Sequence, residues 1–297
     1  MPPIYDGWFL TSQKYKNHHI FQRFMRYAFV LLLLMLLLAA CTQQPEHIDS
    51  QGAPNQRNVD MIKNGNATGS HEVVAESVNY GPATGYLARP KEVGNYPGIV
   101  MIHEWWGLND NIREMARQLA SHGYVVLAVD MYNGQVAKNS SAAGQLAGSV
   151  RNNREGAIAN LKAAVSYLRN QSDVNPDLIA SMGWCFGGQW SLQLALNEKL
   201  AATVIYYGQL ETDASKLAVI DWPVLGIFGS KDTSIPVETV KQFEIALNEA
   251  GVENEIYIYE GVGHAFANPS GMNYAPEQTK DAWEKTIAFL DKYLKKS

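Results

Sequence analysis

Six short runs dominate the chain from residue 71 onward: PGIVMI (97–102), YVVLAV (124–129), LIASM (178–182), ATVIY (202–206), VLGIF (224–228) and EIYIY (255–259). Most are continuously apolar rather than alternating, so both faces of each strand must be covered. Between them lie stretches with helical spacing. Leu108, Ile112, Met115 and Leu119 repeat on one face, with Gly123 closing that helix, and Ala157, Leu161, Ala164, Val165 and Leu168 mark a second. GGQWSLQLAL after residue 186, Val237–Ala250 and Pro276–Leu294 supply three more. The stretch from Asn133 to Gly148 reads as a small-residue loop. Two alternating runs, Glu72–Val78 and Gly85–Ala88, flank Gly81-Pro82 and predict an edge hairpin. The expected fold is α/β: one domain over 71–297, with a mostly parallel, twisted sheet and helices on both faces.

Other readings are excluded by composition. With 46% hydrophobic and 18% charged residues, the chain is neither disordered nor a coiled coil. A net charge of -5 with no basic block gives a nucleic-acid partner no electrostatic support. Only two cysteines occur, Cys41 and Cys185, too few for a disulfide framework, and each needs its own account. No metal-ligand spacing and no phosphate-binding loop is present, so no cofactor and no metal is expected, and a monomer is.

The first 40 residues read as an address. Arg23 and Arg26 precede AFVLLLLMLLLAA (28–40), an apolar run too short to cross a bilayer, and small residues end it. This is the order of a signal peptide, and Met25 would start a compact one, leaving 1–24 untranslated. Leu38-Ala39-Ala40-Cys41 resembles the bacterial lipobox, which implies cleavage before Cys41, lipidation of that cysteine and anchoring to the cell envelope. With Thr42 rather than Asp next, the resemblance points to the outer membrane if the cell is Gram-negative. Residues 41–70 contain no aromatic residue and few apolar ones, which predicts a flexible tether.

Parallel sheets of this kind carry their chemistry at the carboxyl ends of the strands. Four polar residues fall there: Glu104, Cys185, Asp232 and His264. Cys185 sits in Gly183-Trp184-Cys185-Phe186-Gly187-Gly188, between a strand and a helix. This is the G-x-S-x-G nucleophile elbow with sulfur for oxygen, a turn so sharp that glycine is needed at 183 and 187. The helix N-terminus behind the thiol favours thiolate. Asp232 and His264 follow in the α/β-hydrolase order of nucleophile, acid and base. The imidazole would take the thiol proton and the carboxylate would fix its tautomer. Taken singly, the cysteine could be structural, the aspartate a helix cap and the histidine a surface residue. Glu104 could equally cap the helix that follows it. In this fold the oxyanion hole is made by backbone amides, here those of Trp105 and Phe186.

The segments HEWWGLNDNIRE (103–114), GYVVLAVDMY (123–132), GWCFGG (183–188), GSKDTSIP (229–236) and YEGVGHAFAN (259–268) resemble the dienelactone hydrolase family from about residue 71 to the end. The resemblance implies a Cys185–His264–Asp232 triad, with Glu104 contacting Cys185 and helping to activate the thiol. It also marks a departure. Where the chloroaromatic-pathway enzymes carry an arginine that holds a substrate carboxylate, this chain has Asn268. A second expected arginine has no clear counterpart, Arg151 and Arg154 being the nearest. Dienelactone is therefore a poor fit, and Trp105, Trp106 and Trp184 suggest an apolar or aromatic ester, the alternative being that these rings are packing. The expected activity is cysteine-dependent hydrolysis of a small ester through an acyl-thioester. A noncatalytic binding lipoprotein and a thiol redox sensor are the alternatives.

Overall fold

The computed structural model describes residues 69–295; the apolar leader, Cys41 and the tether up to residue 68 lie outside them. Gly69 and Ser70, the last two residues assigned to the tether, already adjoin the domain. The Gly69 amide donates to Ser121 Oγ at 3.0 Å and the His71 amide to the Ser121 carbonyl at 3.1 Å.

Among the described residues, eight strands form one sheet in the order β1-β2-β4-β3-β5-β6-β7-β8. β1 (Val73–Asn79) and β2 (Thr84–Pro90) are the predicted hairpin, and β2 runs antiparallel to β4 (Val125–Val129). Every other pairing is parallel, joining β3 (Tyr96–Ile102), β5 (Val174–Trp184), β6 (Ala202–Tyr206), β7 (Val224–Gly229) and β8 (Asn254–Tyr259). β4 and β6 are buried along their whole length, as their unbroken apolar sequences require.

Helices cover both faces: α1 (Asp110–Ser121), α2 (Ser140–Asn152), α3 (Arg154–Arg169), α4 (Phe186–Ala195), the single turn α5 (Ala214–Leu217), α6 (Val237–Glu249) and α7 (Pro276–Leu294). α2 corrects the reading of 133–148 as a loop. Its alanines and glycines carry weak apolar periodicity, and only Ala143 and Ala147 bury fully against the domain. What starts it is local: Asn139 Oδ1 accepts from the Ala142 amide at 2.9 Å. β5 also runs beyond the predicted LIASM at both ends, through Asn175, Pro176 and Asp177, whose polarity hides a strand.

Register determines where the chemistry falls. Ile102 of β3 pairs with Gly183 of β5, and Gly183 pairs in turn with Ile205 of β6. The carboxyl ends of the central strands are therefore level. The segments leaving β3, β5, β6, β7 and β8 emerge on one rim.

Candidate active site

The turn after β5 is built by exclusion. A Cβ on Gly183 would stand 2.3 Å from the Gly187 carbonyl oxygen, and one on Gly187 would stand 2.2 Å from the Ile102 carbonyl oxygen. Backbone occupies both places, so no side chain fits. Between these glycines Cys185 adopts φ 54° and ψ -113°, a region that non-glycine residues rarely enter. The turn is held by the Cys185 amide donating to the Tyr206 carbonyl at 2.9 Å and by the Gln189 amide donating to the Cys185 carbonyl at 3.1 Å. The sulfur thus sits at the mouth of α4, where the first-turn amides have no helical partner.

The other two residues reach the sulfur from the neighbouring loops. His264 Nε2 lies 3.0 Å from Cys185 Sγ, and His264 Nδ1 lies 2.7 Å from Asp232 Oδ2. Asp232 divides its carboxylate between two tasks. Its Oδ1 accepts from the Ser234 and Ile235 amides at 2.8 and 3.0 Å, the turn-forming role open to any aspartate before Thr-Ser. Its Oδ2 faces the imidazole. The helix-cap reading does not hold, since the cap position of α6 is Pro236 and no side chain bonds there. Burial alone would depress His264, but the hydrogen bonds and charges of Asp232 and Cys185 outweigh it and raise the imidazole to about 10.

Glu104 is not the cap of α1; Asn109 is, accepting from the Ile112 amide at 3.2 Å. The glutamate is buried, and its Oε2 accepts from Asn268 Nδ2 at 2.6 Å. No hydrogen bond joins it to Cys185 among the described residues: Glu104 bonds the Asn268 amide and the sulfur bonds His264, while both residues line one cavity. Burial pushes Glu104 up to about 7, although the nearby His264 charge and the Asn268 hydrogen bond both pull it down.

His103 next door is a scaffold. The Met131 amide donates to its Nε2 at 3.1 Å, so the proton sits on Nδ1, which is close to the Glu104 carbonyl. Full burial lowers it to about 4, and it stays neutral. Its ring stacks on Phe186 at 5.7 Å. Tyr132 hydroxyl donates to the Trp105 carbonyl at 3.2 Å, which fixes the peptide next to the cavity.

Glu104, Trp105, Trp106, Cys185, His264 and Asn268 share a cavity of about 320 Å³, with the exposed Met272 at its edge. Trp184 does not line it. It is a core residue packed on Tyr206, ring centroids 5.4 Å apart, because alternation along β5 points it away from the rim. Arg151 and Arg154 do not line it either: Arg151 lies over the Phe186 ring at 5.8 Å and bonds Gln189, and Arg154 bonds Gln193.

The sequence reading missed Tyr207. Its ring meets His264 edge-on at 5.3 Å, and it holds φ 36°. Cys185, Tyr207 and Ala265 are three of the four non-glycine residues with positive φ among those described, and all three flank this rim. Tyr-Tyr-Gly at a strand end was the available signal.

The dienelactone hydrolase family model matches residues 83–294. The chain belongs to the dienelactone hydrolase family. It is 34% identical over 217 residues to Protein usf of Aquifex pyrophilus, covering 71% of this chain and 93% of that one. It is 33% identical over 224 residues to a candidate carboxymethylenebutenolidase of Escherichia coli K12, covering 70% and 82%. A Klebsiella pneumoniae crystal structure described as a dienelactone hydrolase superposes with a TM-score of 0.66 at 26% identity, over 75% of this chain and all of that one. Fold and family agree: this dienelactone hydrolase family member has the α/β-hydrolase fold and is an enzyme of ester hydrolysis.

Proposed function

We propose that this enzyme cleaves small carboxylic esters or lactones through a Cys185–His264–Asp232 triad and an acyl-thioester. The observation that carries the reading is the unbroken row from sulfur to imidazole to carboxylate, at 3.0 and 2.7 Å. With the imidazole raised to about 10, His264 carries the proton that the leaving group will need near neutral pH.

The thiolate attacks the ester carbonyl, forming a carbon–sulfur bond while the carbonyl oxygen gains charge against the Trp105 and Phe186 amides. Collapse breaks the bond to the leaving alkoxide, which takes the Nε2 proton from His264. Neutral His264 then draws a proton from water as that water attacks the thioester. Collapse breaks the carbon–sulfur bond, the acid departs, and the free sulfur is restored with a proton back on His264. In a lactone the alkoxide and the acid stay on one molecule.

The test is hydrolysis of 4-nitrophenyl acetate by residues 69–297. Cys185→Ala is expected to lower kcat/KM by at least about 10⁴-fold with the fold intact by circular dichroism. Activity retained in that variant would refute the assignment.

The envelope location belongs to the same proposal and rests on sequence order alone: arginines, a short apolar run, then small residues and Cys41. Radiolabelled palmitate fed to expressing bacteria is expected to enter the full-length chain and to be lost in Cys41→Ser; equal labelling of both would refute lipidation.

A further inference from the structure

The cavity beside Cys185 has an unusual charge composition. Among the described residues that line it there is no lysine or arginine, yet Glu104 is buried in its wall. The glutamate's only hydrogen-bond partner there is a neutral amide, that of Asn268. This amide cannot turn to present its oxygen instead, because Asn268 Oδ1 already accepts from the Ser270 amide at 2.8 Å. Asn268 is itself buried, so neither member of the pair is free to swing into solvent. The one cation at the site, imidazolium His264, lies between Cys185 and Asp232 and is matched by both.

We propose that the Glu104–Asn268 pair makes this cavity select uncharged acyl groups and reject those that carry a carboxylate. The proposal deepens the ester-hydrolase reading and rests on it. An entering carboxylate would meet a buried like charge and no cation free to pair with it, and a buried charge without a partner is strongly disfavoured. Specificity here comes from repulsion rather than from an added attractive contact. An uncharged acyl chain loses nothing: Trp105 and Trp106 offer it apolar faces, and Met272 closes the edge with a deformable side chain.

The experiment compares two esters with six-carbon acyl chains, 4-nitrophenyl hexanoate and mono-4-nitrophenyl adipate, at pH 8.5. The wild-type enzyme is expected to favour hexanoate by about 100-fold in kcat/KM, the discrimination of one like charge some 6 Å away. Glu104→Gln is expected to cut that ratio at least about tenfold, whatever it does to the absolute rates. A wild-type ratio below about threefold, or a ratio unmoved by Glu104→Gln, overturns the proposal.

A second measurement needs no turnover. Alkylation of Cys185 by iodoacetamide and by iodoacetate, each normalised to the same reagent's rate with glutathione, reads the charge around the sulfur directly. A normalised preference for iodoacetamide that falls in Glu104→Gln supports the proposal, and equal normalised rates refute it. If neither ester is cleaved, the hydrolase reading fails, and alkylation still decides the charge selectivity of the cavity.

Discussion

Two loops on one rim each bury a carboxylate beside His264, and they treat it oppositely. Asp232, in the segment after β7, meets three donors: two backbone amides of its own segment and the His264 imidazole from the segment after β8. Glu104, in the segment after β3, meets one side-chain amide, that of Asn268 from the segment after β8. Burial is nearly the same, 3% and 4% exposed, so depth is not what separates them. The number of donors is. A carboxylate held by three donors is fixed in orientation and can align a histidine. One left with a single neutral partner has a negotiable charge, and Glu104 sits near neutrality.

Three substitutions sharpen or break this contrast. Asp232→Asn should have the largest effect, about 10⁴-fold in kcat with little change in KM, because the imidazole loses the partner that fixes its tautomer. A loss under tenfold would mean that the donor-rich carboxylate is only architectural. Gly187→Ala should come next, costing about 3 kcal/mol in urea denaturation, since the new methyl meets the Ile102 and His103 carbonyl oxygens at 2.2 and 2.6 Å. The damage should fall on the Glu104 side of the rim. Hydrogen exchange should quicken at Trp105 and not at Ser234, and equal quickening at both would erase the distinction.

Glu104→Gln should be the mildest and should change with pH. The folded-state value is raised from 4.5 to about 7, so the native state holds this proton more tightly than the unfolded chain does. Glu104 therefore does no harm below 4.5, and stability is lost as pH rises through about 7. The glutamine variant, always neutral, is expected to be more stable than wild type at pH 8 by about 2 kcal/mol and equal to it at pH 4. A pH-independent difference in melting temperature would contradict the assignment of charge to this group.

The parallel sheet, the elbow and the order of Cys185, Asp232 and His264 could all be read from the chain, because each is specified locally. Continuous apolar runs need two covered faces, and the paired glycines need a turn in which no Cβ fits. α2 escaped because its small residues carry little periodicity, and its start depends on the Asn139 cap. Between pocket and packing, Trp184 falls to packing, a choice the sequence leaves open because an aromatic beside a nucleophile looks the same whichever face it takes.

The sequence by itself determined which side chains stand at strand ends and which backbone positions must be glycine, since both follow from short-range sterics and side-chain period. Only the tertiary structure decided what each buried polar atom is bonded to. Asn268 lies 164 residues from the Glu104 it holds, and Cys185 and His264 meet across 79. A hydrogen bond is a relation between two places, and the packing of the sheet sets the distance between them.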